Sequence, residues 1–100
     1  MPAALTARAD VRTETPERYA KQLVEHLGHR VSFTTEGATS TAEIAGGIGS
    51  VEVGEGVLVL RAEAGDQETL DRVQDVLGRH LVRFGRRAEL DVVWAPAAAG

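Results

Sequence analysis

The chain contains no cysteine, which excludes disulfides, thiolate zinc or iron–sulfur ligation and a cysteine nucleophile. A cysteine-free chain also suits a reducing compartment. Aromatic residues number only four. They form no alternating strand on which bases could stack, and the net charge is −4, so a nucleic-acid partner is not expected. Lysine occurs once, and the other ten of the eleven basic residues are arginine; with abundant alanine, this reads as codon bias of a GC-rich genome. No apolar run approaches the ~20 residues of a membrane span, and Met1 to Arg8 has no apolar leader region. The expected location is therefore cytoplasmic, with no membrane partner.

What remains is ordinary globular material: 100 residues, 43% hydrophobic and 26% charged. That is enough for one modest core. No repeat or low-complexity linker divides the chain. One α+β domain is expected over residues 1–94, followed by a frayed tail over 95–100.

Leu5, Ala7, Ala9 and Val11 alternate with Thr6, Arg8, Asp10 and Arg12, the period of a half-buried strand. Thr15-Pro16-Glu17 reads as a helix start, with a hydroxyl cap, proline in the first turn and an acid near the positive end. Tyr19, Ala20, Leu23, Val24 and Leu27 then form one helical stripe, which Gly28 ends. Four short strands are expected at Val31–Thr35, Thr39–Ile44, Ser50–Val53 and Val57–Glu63. Tight turns at Gly46-Gly47-Ile48-Gly49 and Gly54-Glu55-Gly56 would join them as antiparallel neighbours. Asp66 can cap a second helix, whose buried stripe is Leu70, Val73, Leu77, Leu81 and Phe84 and whose stop is Gly85. A last strand is expected over Glu89–Trp94. The fold class is thus α+β: a two-layer sandwich, mostly antiparallel, order βαββββαβ, ferredoxin-like with an extra hairpin and both helices on one face. The other face, with Arg8, Arg12, Glu43, Glu52 and Arg61, would be solvated.

Two blocks carry a family resemblance. One runs from Arg18-Tyr19-Ala20-Lys21-Gln22-Leu23 into Glu25-His26-Leu27-Gly28-His29-Arg30. The other runs from Leu81-Val82-Arg83-Phe84 to Arg87-Ala88-Glu89-Leu90, Val92 and Trp94. With their spacing, the chain resembles the bacterial domain of unknown function 2218, departing from it around Gly37 to Ser40 and Ile44 to Gly49. The resemblance implies a bacterial domain of about this length with no assigned activity. It also implies an association of some relatives with iron and siderophore genes.

Imidazoles are the first candidates for chemistry, because neutral histidine binds transition metals readily. His26 and His29 lie three apart, and His80 lies on the second helix. With four strands between them the helices should run antiparallel, which would put His26 and His80 at opposite edges, on the order of 15–20 Å apart. His26 falls at the margin of its apolar stripe and His80 inside its own, where a histidine more often makes one hydrogen bond than it binds metal. The metal candidates, for a two-histidine or intersubunit site, are His26 and His29. Ligand candidates add Tyr19 and the basic side chains Arg83, Arg86 and Arg87, which could grip an anion. Those arginines, with Arg79, equally suit a helix C-terminus and pairing with Asp75. The glycine run at 46–49 lacks the lysine and hydroxyl of a phosphate loop. Ser32, Ser40 and Ser50 lie in no nucleophile elbow. No catalytic residue is assigned, and an enzyme ranks third. The leading expectation is a non-catalytic interaction or accessory domain, self-associating as a homodimer through a sheet edge or the Val57/Val59/Val93 surface. The alternative is a small-ligand or metal-binding module using His26 and His29, tied through the resemblance to iron or siderophore handling. The cofactor is left unknown.

Overall fold

The computed structural model describes residues 4–84, 90 and 92–96. Its elements are β1 (Leu5–Arg12), α1 (Pro16–Leu27), β2 (Thr34–Glu36), β3 (Thr39–Ile44), β4 (Gly47–Gly54), β5 (Val57–Ala64), α2 (Gln67–Phe84) and β6 (Ala95–Pro96). The six strands form one sheet in the order β2-β3-β4-β5-β1-β6, and every pairing is antiparallel. The expected α+β class and element order are therefore present. The helix α1 returns the chain so that β2 runs parallel to β1 in direction, and three successive reversals then leave β5 antiparallel to β1.

The alternation of β1 decides which side is buried. Ala7, Ala9 and Val11 join Leu58, Leu60, Ala62 and Ala64 of β5 and Val51 of β4 in one core. Leu23 and Leu27 of α1 enter the same core, as do Leu70, Val73, Leu77 and Leu81 of α2. Both helices thus cover one sheet face, as the stripes require. The opposite face carries Arg8, Asp10, Glu52 and Arg61, paired as Arg8–Asp10 and Arg61–Glu52. Asp10 also raises the Arg8 pKa by hydrogen bonding and charge.

Three local expectations are corrected. The glycine run is not a four-residue turn. The turn is Ala45-Gly46, both at positive φ, and β4 already begins at Gly47. Gly47 and Gly49 are buried in that strand because α2 lies directly on them. A Cβ at Gly47 would stand 2.6 Å from the Glu63 carbonyl oxygen and 2.8 Å from Val73 Cγ2. One at Gly49 would stand 2.7 Å from Ile44 Cδ1 and 3.1 Å from Leu77 Cδ1.

The last strand also shifts. Leu90 is buried, and Val92 and Trp94 pack on the core. Ladder pairing with β1, however, occurs at Ala95–Pro96, inside the stretch expected to be tail. Gly85, the Phe84 side chain, Glu89 and residues 97–100 lie outside the described residues. Finally, Val59 contributes almost no exposed area to the Val57/Val59/Val93 surface. Val59 is only 5% exposed although it faces away from the helices, whereas Val93 is 74% exposed. In the ladders Val59 lies opposite Asp10 and Glu52.

The helix starts hold in different ways. Thr15 occupies the cap position of α1, but its hydroxyl makes no cap bond; its amide instead donates to Thr13 Oγ1 at 3.1 Å. Gly28 follows α1 at φ −60°, so it ends the helix without needing left-handed backbone. Asp66 does cap α2, accepting from the Thr69 amide at 2.8 Å and the Thr69 hydroxyl at 3.0 Å. Those two bonds hold its carboxyl below its ordinary pKa, the amide contributing most. Because the folded pKa is lowered, the contribution to stability is full above the ordinary carboxylate value near 3.8. It is lost as pH falls through the folded value. Asp66→Ala should therefore unfold at lower urea than wild type at pH 7, with the gap closing in acid; equal midpoints at pH 7 would exclude the cap's contribution.

Candidate functional site

Register and helix length together set where the helices meet. β1 ends with Arg12 opposite Val57, at the start of β5, and β5 ends with Ala64 opposite Leu5. So α1 and α2 set out from opposite ends of the sheet and run toward each other. At 1.5 Å per residue the 12 residues of α1 and 18 of α2 span about 18 and about 27 Å. Eight-residue strands cover only about 27 Å. The helices must overlap, and they overlap by their C-terminal portions.

That overlap brings together two side chains expected to be far apart. The rings of His26 and His80 lie 5.0 Å apart, centroid to centroid, tilted by 46°. The expected separation of 15–20 Å is corrected. It presumed that each helix crosses the whole sheet, whereas α1 stops partway, with His26 in its last turn.

His80 is oriented by its own helix. Its Nδ1 lies 2.6 Å from the Val76 carbonyl oxygen. A carbonyl only accepts, so Nδ1 donates its proton, and in the neutral ring Nε2 carries the lone pair. Metal-ligating histidines are characteristically prepared this way, one nitrogen donating to a backbone carbonyl while the other faces the ion. His80 is half-buried and His26 exposed, so the pair opens to solvent.

The other candidates sort around this pair. Tyr19 is half-buried against the core and stands two turns before His26 on the same stripe of α1. His29 is exposed just beyond that helix. Arg83 is exposed, one turn after His80 on α2. Arg79 pairs with Asp75 at 3.2 Å, the helix-surface role expected of it. Arg86 and Arg87 lie outside the described residues. Among the described residues no group of three or more His, Cys, Asp or Glu side chains is placed to hold an ion.

A second concavity was not anticipated. A cleft of about 430 Å³ runs between Trp94 and α2, lined by Gln74, Gly78, Val82 and Val92 among others. Gly78 makes room for it, since a Cβ there would stand 3.2 Å from Trp94 Nε1. The sequence signal was present: glycine inside a strongly periodic helix costs about 1 kcal/mol relative to alanine, which a packing role offsets. Among the described residues no helix is long and apolar enough to cross a membrane.

Fold and site define a two-layer α+β domain with a fully antiparallel sheet and a histidine pair where two helix ends overlap. The chain belongs to the bacterial family described as an uncharacterized protein conserved in bacteria, domain of unknown function 2218, which matches residues 8–95. It is similar to PA4090 from Pseudomonas aeruginosa, whose structure was solved by NMR. The TM-score is 0.77 at 22% identity, covering 93% of this chain and 97% of that one. That likeness concerns the fold. No curated protein matches the chain.

Proposed function

We propose that this domain is a non-catalytic accessory module of the cytosol that holds a divalent transition-metal ion between His26 and His80. One observation carries the reading, the ring separation. With zinc–nitrogen bonds of about 2.0–2.1 Å and a ring centroid about 1.1 Å behind each nitrogen, two imidazoles on one tetrahedral ion have centroids about 5.2 Å apart. The observed 5.0 Å is close to that spacing. The His80 hydrogen bond to Val76 supports the same reading, because it leaves Nε2 as the ligating atom. His26 also stands in the last turn of α1, where the backbone dipole favours a cation. His26 is retained from the expected metal pair, and His80 takes the place given to His29.

The test is titration of the metal-free chain with zinc, nickel and copper(II), followed by calorimetry and by the histidine ring resonances. Copper is expected to bind tightest. His26→Ala or His80→Ala should each weaken binding at least tenfold, roughly the loss known for a second-shell partner alone. His29→Ala should leave it unchanged. Binding no tighter than about 1 mM for all three ions, about −4 kcal/mol, would overturn the proposal.

A further inference from the structure

We infer that the groove beside Trp94 binds a small organic cation, a protonated amine held between the Asp71 carboxylate and the indole with its apolar body over Leu5 and Leu70. Trp94 stands between two clefts. The first, toward Gly78 and Val82, is the one described above. The second, of about 380 Å³, lies between the start of β1, the first turns of α2 and β6. Both volumes fall within the range of small-ligand sites, about 300–1,000 Å³. Asp71, Gln74 and Trp94 line both clefts and form the strip common to them. The second cleft takes its apolar wall from Leu5, Leu70 and Pro96. Leu5 is a large aliphatic side chain left 38% exposed, and a ligand body in this cleft would cover it. Neither His26 nor His80 lines either cleft, so the site stands apart from the metal reading.

Charge decides the sign of the ligand. The acids of α2 are Glu68, Asp71 and Asp75. Glu68 is paired with Arg72 and Asp75 with Arg79, each one turn on. Asp71 has an acid, Asp75, one turn on and Gln67 one turn back. Its Oδ1 accepts from the Gln67 amide at 2.7 Å, a neutral partner, and among the described residues no cation pairs with it. The second cleft therefore has Asp71 as its one charged side chain among the described residues. In the first, Arg79 cancels Asp75 and again leaves Asp71. An uncompensated carboxylate thus lies on the same strip as the indole, and tryptophan is the ring that attracts cations best. A protonated amine satisfies both at once. An anion would meet Asp71 and a chain carrying −4.

The experiment titrates the full chain at neutral pH and constant ionic strength with benzylamine, which is protonated there, and follows fluorescence. Trp94 is the single tryptophan, so its emission reports on this groove. A saturable change is expected with half-saturation at about 1–5 mM, the affinity open to a fragment of this size. Benzyl alcohol and benzoate carry the same ring without the positive charge and should bind at least about fivefold more weakly. Asp71→Asn should weaken benzylamine about fivefold, the upper end for an exposed ion pair, and Leu5→Ala about threefold through lost apolar contact. Glu68→Gln makes the same charge change outside the clefts and should leave binding unaltered. Folding of each variant is checked by circular dichroism; should Asp71→Asn fail to fold, the three probes on the unaltered chain decide. Benzoate or benzyl alcohol binding as tightly as benzylamine overturns the inference. So does an Asp71→Asn variant that binds like wild type, or a Glu68→Gln variant weakened as much. Unchanged binding in Leu5→Ala overturns the placement of the apolar body, and fluorescence that fails to saturate by about 20 mM overturns the site itself.

Discussion

Leu77→Ala is expected to remove about 3–4 kcal/mol of folding stability, the range for a leucine truncated in a tight core. Leu77 is fully buried. It sits over the sheet at Gly49, where its Cδ1 lies 3.1 Å from the position a Cβ would take. Backbone, not a movable side chain, therefore lines that side of the cavity it would leave, so the site collapses poorly and the cost lies high in the range. A domain of this length has roughly 5–15 kcal/mol in all, so the variant loses a large fraction of it. Urea denaturation should show a midpoint lower by about 2–3 M for a slope near 1.3 kcal/mol/M. Val82→Ala, on the exposed side of the same helix at 45% exposure, should change stability by under about 0.5 kcal/mol. A Leu77 variant that unfolds with the Val82 variant would show that the helix–strand contact is not tight.

The opposite change at the same contact, Gly47→Ala, is expected to cost about 2 kcal/mol. The added carbon meets the Glu63 carbonyl oxygen, part of the neighbouring strand's backbone, as well as Val73 Cγ2. Neither strand can yield without disturbing the ladder between β4 and β5, and overpacking of this kind costs about 1–3 kcal/mol. A reduction in unfolded-chain entropy returns about 0.4–1 kcal/mol, which is why the net figure is not higher. Gly49→Ala should cost less, because it meets the tips of Ile44 and Leu77, which can change rotamer. Thermal or urea unfolding of the two variants orders them directly. Equal stability of Gly47→Ala and wild type would contradict the close approach of α2 to β4.

These two glycines show where the sequence was legible and where it was not. β1, β3, α1 and α2 could be read from apolar spacing, because side chains write the period. Gly47 and Gly49 have none, so a run that is half turn and half strand looks like turn throughout. The information that makes it a strand lies in Val73 and Leu77, on another element. Ahead of β6 the core positions Leu90, Val92 and Trp94 were readable, but the place where the chain pairs with β1 was not, since it depends on where Ala7 and Arg8 sit. For the candidate site, residue types pointed to the histidines, and Tyr19, His26 and His80 were each placed on the correct helix. The juxtaposition of His26 with His80 was missed. It depends on the unequal lengths of two helices entering from opposite ends, a relation no local window contains.

The sheet order also has a consequence for the time course of synthesis. β1 leaves the ribosome before the other five strands, yet its ladder partner along its whole length is β5, some fifty positions later. At about 5–20 residues per second, β1 waits for several seconds with both edges unpaired. Throughout that interval it is a free strand that could pair with another nascent chain. Arg8, Asp10 and Arg12, alternating along it, place charge at every second residue, which discourages such pairing. The same residues that later form the open face of the finished sheet thus protect the strand before the sheet exists.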